Sequence, residues 1–244
     1  MDTQKFKYGM YRTTKIFAQE MQGDFLLKYE KKLSAFELSA SLGGSTLHNR
    51  YRRENNRANA LMFPQVFSLS NSKFAVITIP YESEYAINSI YGLFTVSYKN
   101  FLFLDLTARN DWSSVLATPE STDNSSFFYP SVNLSVVLSD MFKMPRWITF
   151  AKLRASFSEV GSSGTKTYQN TYVYAAADGF SGGLMNPKTL PNPDLRPQRT
   201  RTYEVGADLR LFNNKLGIDT PCIKARRGTR SSRRRSTVRP DTTI

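Results

Sequence analysis

Hydrophobic and polar side chains alternate with period two over several stretches of this chain, the pattern of strands with two unlike faces. In 102–109 one face carries Leu102, Leu104, Leu106 and Ala108, and the other Phe103, Asp105, Thr107 and Arg109. In 151–158 the apolar set is Ala151, Leu153, Ala155 and Phe157, opposite Lys152, Arg154, Ser156 and Ser158. The run 203–211 sets Tyr203, Val205, Leu209 and Leu211 against Glu204, Asp208 and Arg210. Val132, Leu134, Val136 and Leu138 share one side of 131–138, and Phe36, Leu38, Ala40 and Leu42 one side of 36–42. The pattern predicts strands at 24–31, 35–43, 86–98, 101–109, 128–138, 147–158 and 201–211, with a short one at 74–79 inside a long polar stretch, 44–84.

Alternation alone also fits a soluble antiparallel sheet with one dry and one wet face. The connections separate the two readings. Lys32-Leu33-Ser34, Lys99-Asn100 and Phe212-Asn213-Asn214-Lys215 are short, and the link through Pro145 is of medium length. The connections 44–84, 110–127 and 161–200 are long. Short turns at one end and long loops at the other are the habit of outer-membrane barrels. Predicted strands of about nine to thirteen residues suit a tilted crossing of a bilayer. Aromatic residues near strand ends, such as Trp112, Phe127-Phe128-Tyr129 and Trp147, fit interfacial girdles as well as a soluble core.

Composition narrows the choice further. One cysteine, Cys222, and one histidine, His48, exclude a disulfide framework and leave no basis for a Cys/His metal site. No run of about 18 apolar residues predicts a transmembrane helix. A mean hydropathy of −0.42 is compatible with membrane strands, because alternation averages out. Neither a leader nor a catalytic constellation is expected, and no cofactor. His48 lacks a triad context, and Gly161-Ser162-Ser163-Gly164-Thr165 lacks the lysine spacing of a phosphate loop. The carboxylate pairs Glu204/Asp208 and Asp105/Glu159 fit strand faces better than a hydrolytic site.

Several ordered motifs resemble one family. They are Leu106-Thr107-Ala108-Arg109-Asn110-Asp111-Trp112-Ser113-Ser114, Phe128-Tyr129-Pro130-Ser131-Val132-Asn133-Leu134-Ser135 and Lys152–Gly161. The most specific is Asn192-Pro193-Asp194-Leu195-Arg196-Pro197-Gln198-Arg199-Thr200, running into Tyr203-Glu204-Val205-Gly206. Ala40–Gly44 and Val66–Ser72 fit as well. Together, over roughly 24–219, they resemble the SusC/RagA family of TonB-linked outer-membrane transporters.

The resemblance implies an all-β fold: antiparallel transmembrane β-barrel strands with long extracellular loops, in a barrel of about 22 strands with a plugged lumen. About seven to nine of those strands fall in this chain, with no plug and no TonB-contacting segment, so a partial barrel is expected. It further implies import of oligosaccharides or peptides in the cell outer membrane, with TonB and a SusD-like surface lipoprotein as partners and lipid against the barrel. Asp105, Arg109, Lys152, Arg154, Glu204, Asp208 and Arg210 are then the lumen-facing candidates. Tyr168, Tyr172, Tyr174 and Phe180 in the longest loop are the candidates for stacking on ligand.

Near Asp219 the chain changes character. Eight basic residues and one acid follow, so +7 of the net +13 sits in residues 220–244. A basic run can bind phosphates without sequence preference, which supports an alternative: a soluble β-rich interaction domain with a nucleic-acid- or anion-binding tail. The run lacks interleaved aromatics and any recognisable module, so nucleic acid is not the expected partner. A shifted frame from Cys222 can encode Tyr-Lys followed by a plausible strand end. Residues 220–244 are therefore expected to be an out-of-frame, disordered tail after a barrel segment at 1–219.

Overall fold

Eight strands, each hydrogen-bonded to its neighbour in sequence, make up almost all the regular structure of the computed structural model. They are β1 (Tyr11–Leu33), β2 (Phe36–Ala58), β3 (Ile77–Tyr98), β4 (Leu102–Ser113), β5 (Ser126–Val137), β6 (Ile148–Ser162), β7 (Gln198–Leu211) and β8 (Leu216–Gly228). The structure describes residues 8–164, 166–176, 183–186, 189–228 and 234–235. The sheet is an antiparallel meander in the order β1-β2-β3-β4-β5-β6-β7-β8. One helical turn, α1 (Leu138–Met141), lies between β5 and β6.

The short turns fall where expected, and the backbone explains them. Lys99 and Asn100 have φ of 45° and 60°, the double left-handed step that suits a tight hairpin between right-twisted strands. Phe212, Asn213 and Asn214 are also left-handed, at 53°, 54° and 64°. The long connections, 59–76, 114–125 and 163–197, alternate with these turns along the meander.

Two expectations need correction. The stretch 44–84 is mostly strand, because β2 continues to Ala58 and β3 begins at Ile77. Residues 44–58 are polar on both faces, so no period-two contrast marks them, while backbone pairing continues regardless of side chain. Order also does not end at Asp219. Strand β8 runs to Gly228, paired with β7 from Leu211↔Leu216 through Arg199↔Gly228. Every side chain of β8 is exposed, so the pairing is carried by backbone hydrogen bonds. Residues 229–233 and 236–244 lie outside the described residues.

The chain divides into two units, residues 1–22 with 47–86 and residues 23–46 with 87–244. In the first, the loop 59–76 closes on itself. Buried Asn71 donates Nδ2 to the carbonyls of Phe63 and Val66, both at 2.8 Å, and accepts from the Phe63 amide at 3.1 Å. In the second, Leu116, Phe127 and Leu195 form a small buried cluster with Tyr129 against it. That cluster joins loop 114–125 to loop 163–197, and Asn170 adds a 2.6 Å bond from Nδ2 to the Ala117 carbonyl. Among the described residues there is no larger core: Leu134, Leu153 and Val205 are exposed on the strands.

Candidate ligand-lining face

Register decides which side chains meet. Asp105 pairs with Asn133, Asn133 with Ser156, and Ser156 with Glu204. Leu104 pairs with Leu134, Leu134 with Ala155, and Ala155 with Val205. Odd-numbered β4 and β5 positions and even-numbered β6 and β7 positions therefore share one polar face across four strands. All seven polar-face candidates, Asp105, Arg109, Lys152, Arg154, Glu204, Asp208 and Arg210, fall on it.

Hydrogen bonds run across this face as rungs. Asp105 accepts from Thr95 Oγ1 at 2.9 Å and from Asn133 Nδ2 at 3.0 Å. Thr107 and Ser131 share a 2.6 Å hydroxyl bond. Arg154 lies between two carboxylates, Glu204 at 3.3 Å and Asp219 at 3.1 Å. Its guanidinium crosses Gly206, where a Cβ would sit 2.7 Å from Nε; the missing side chain makes room for the arginine. Lys152 stands opposite Asp208 in register. Arg210 reaches Asp208 only at 3.7 Å and lies 5.2 Å from the Phe150 ring centroid.

Towards the long loops the face becomes tighter. Arg109 donates Nε to Asp111 at 2.7 Å and Nη2 to Ser89 at 2.8 Å, with its guanidinium 5.5 Å from the Tyr91 ring centroid. The Tyr129 hydroxyl donates to the other Asp111 oxygen. Asp111 is thus the buried acceptor that orders an arginine and a tyrosine, a role the sequence did not reveal because Asp111 looked like a loop residue. A groove of about 390 Å³ lies here, lined by Tyr91, Arg109, Tyr129 and Glu159 among others. At odd-numbered positions of β6 and β7, in the register of Ala155 and Val205 rather than of Arg154 and Glu204, Glu159 has a side chain only 6% exposed and accepts from Arg199 at 2.7 Å and Arg201 at 2.6 Å. Arg199 stood out only as part of the family motif 192–200, and Arg201 not at all.

Of the loop candidates, Tyr172 and Tyr174 meet edge to face with centroids 5.5 Å apart, and the Tyr172 hydroxyl donates to Asn186 at 3.0 Å. Tyr168 is exposed and separate from that pair. Phe180 and Asp178 lie outside the described residues. His48 bonds Glu84 at 2.7 Å on an exposed strand face. Among the described residues no group of His, Cys, Asp and Glu is placed to hold a metal ion.

The model of the TonB dependent receptor-like β-barrel family matches residues 3–220. The chain belongs to the TonB-dependent receptor β-barrel family. Two relatives from Formosa agariphila share its pattern. TonB-dependent receptor P3 is 26% identical over 202 residues, covering 79% of this chain and 20% of that protein. TonB-dependent receptor P39 is 26% identical over 142 residues, covering 55% and 13%. The chain therefore spans about a fifth of the length of these relatives. Among solved structures, the RagAB peptide importer in its closed-closed state superposes with a TM-score of 0.73 at 19% identity, over 87% of this chain and 24% of that one. The RagAB peptide transporter gives 0.73 at 17% identity, over 88% and 24%. The shared fold agrees with the SusC/RagA resemblance carried by Asn192–Thr200. This TonB-dependent receptor segment is all-β, with the eight-stranded meander as its part of the barrel wall.

Proposed function

We propose that this segment forms part of the wall of an outer-membrane importer that takes up oligosaccharides or peptides through TonB, with a SusD-like lipoprotein at the cell surface. The observation that carries the reading is the two-faced sheet. One face holds a continuous polar ladder from Thr95 through Asp105 and Asn133, and the other exposes Leu106, Val132, Leu134, Leu153 and Val205. Lipid solvates the second face, and a hydrated lumen solvates the first. An apolar face this extensive would be an aggregation liability in water.

On this reading Asp105, Arg109, Lys152, Arg154, Glu204, Asp208 and Arg210 line the lumen. Tyr172 and Tyr174, held by Asn186 and by the docked loops, offer rings to a ligand at the mouth. Mixed signs along the ladder bind without trapping, and no bond is made or broken. The peptide import stated for RagAB favours a polymeric ligand.

The test is uptake by intact cells of fluorescent oligosaccharide and peptide libraries, comparing wild type, a strain lacking the full-length receptor, and a strain lacking TonB. Import lost in both deletions is expected for one of the libraries, and Tyr172→Ala with Tyr174→Ala should reduce it several-fold. Uptake of both libraries that is unchanged in the receptor deletion overturns the reading.

A further inference from the structure

Within the unit formed by residues 1–22 and 47–86, the two faces of β2 and β3 treat their charges differently. On one face every arginine has an acid. His48 bonds Glu84 at 2.7 Å, Arg50 reaches Glu82 at 3.0 Å, and Arg52 reaches the same carboxylate at 2.6 Å. The opposite face, with the odd-numbered residues of both strands, carries Arg53 and Arg57. Among the described residues neither has a carboxylate within ion-pair distance, and the buried Nε of each has no hydrogen-bond partner. The Oδ1 of Asn59, buried beside them in sequence, is also without one. The bonds Thr14–Asn55 and Asn49–Glu20 set even-numbered β1 residues opposite odd-numbered β2 residues, which brings Arg12 to the same face.

Aromatic rings complete the arrangement. Arg53 lies 5.3 Å from the centroid of Tyr81, and Tyr81 meets Tyr51 edge to face at 6.1 Å. An arginine nitrogen buried without an acceptor costs free energy, and a guanidinium is built to grip a planar oxyanion through two parallel bonds. The rings hold the Arg53 fork in place without neutralising it. Arg53 and Arg57 are four residues apart on one strand, about 13 Å.

We infer that this face is a binding subsite for anionic groups of the imported ligand, with Arg53 and Arg57 taking two carboxylates about 13 Å apart and Tyr51 and Tyr81 flanking the first. The inference rests on the import reading and specifies the ligand as acidic. Uronate units of an oligosaccharide and Asp or Glu side chains of a peptide present the same group.

The test is calorimetric titration of the full-length receptor in detergent with four probes: a uronate hexasaccharide, its neutral glucose counterpart, a peptide with two Asp residues four positions apart, and the same peptide with Asn. One acidic probe should bind at least 10-fold tighter than its neutral partner, and the responding arm names the source. Arg53→Gln with Arg57→Gln should abolish that preference, while Arg52→Gln on the paired face leaves it intact. Folding of each variant is checked by its heat-dependent gel shift. Should the double variant not fold, Arg53→Lys, which keeps the charge and loses the fork, should still lower the preference several-fold. Equal binding of acidic and neutral probes by the wild type, or a preference unaltered in a folded variant, overturns the inference. Receptor-dependent uptake without acid preference overturns this inference alone, whereas absence of receptor-dependent uptake overturns the import reading.

Discussion

Gly43 shows how much one missing Cβ decides. A Cβ there would lie 2.5 Å from Cζ of Tyr91, whose ring covers the glycine and meets Arg109 from the other side. Gly44 does the same on the opposite face, where Phe25 covers it at 2.5 Å from the absent Cβ. Adjacent glycines thus seat one ring on each face, an arrangement known to protect glycine-containing sheets. Gly43→Ala is expected to push Tyr91 off the strand, release Arg109 from its ring contact and cost about 1–3 kcal/mol through overpacking. The check is the denaturant midpoint of the folded receptor; an unchanged midpoint would mean that Tyr91 has room to move. The sequence offered Ala40–Gly44 only as a family motif. Which ring covers which glycine depends on register across β1, β2 and β3, and a single chain does not encode register locally.

At the scale of the element, legibility followed the solvent. Strands β4, β6 and β7 were read close to their true bounds because Leu102–Arg109, Ala151–Ser158 and Tyr203–Leu211 each have one apolar face. The far half of β2 was missed. Its 23 residues extend about 75 Å, rising about 55 Å at a barrel tilt, against about 25–30 Å of hydrocarbon. A strand that outruns the bilayer has water on both sides, so His48, Arg50 and Arg52 on one face are matched by Tyr51 and Arg53 on the other, and the period-two signal vanishes. Strand β8 was missed for a different reason: neither of its faces is apolar throughout, and its 13 exposed residues pair with β7 through the backbone. Turns were legible because Lys99-Asn100 is short and carries a residue tolerant of the left-handed region. Asn100→Val places a β-branched residue at φ of 60° and is expected to cost about 1–2 kcal/mol, read as a lower folded fraction by gel shift. A fraction equal to wild type would show that the β3–β4 hairpin tolerates another turn.

For the whole molecule, the polar ladder, the apolar counter-face and the alternation of short turns with long loops form one device: a wall that separates two solvents. The family match ends at Thr220, just before the basic run, although β8 continues to Gly228. The polar side chains at the loop end were only partly legible. Asp105, Arg154 and Glu204 were marked by alternation, whereas the ties of Asp111 to Tyr129 and of Glu159 to Arg199 and Arg201 depend on pairing between strands distant in sequence. The most direct measurement is aqueous thiol labelling of single cysteines in the full-length receptor in membranes, with Cys222→Ser as background. Positions 133, 154 and 204 should react with a charged methanethiosulfonate, while 134, 153 and 205 stay protected until detergent is added. Equal labelling of both sets in intact membranes would contradict a barrel wall and point instead to a sheet with water on both faces.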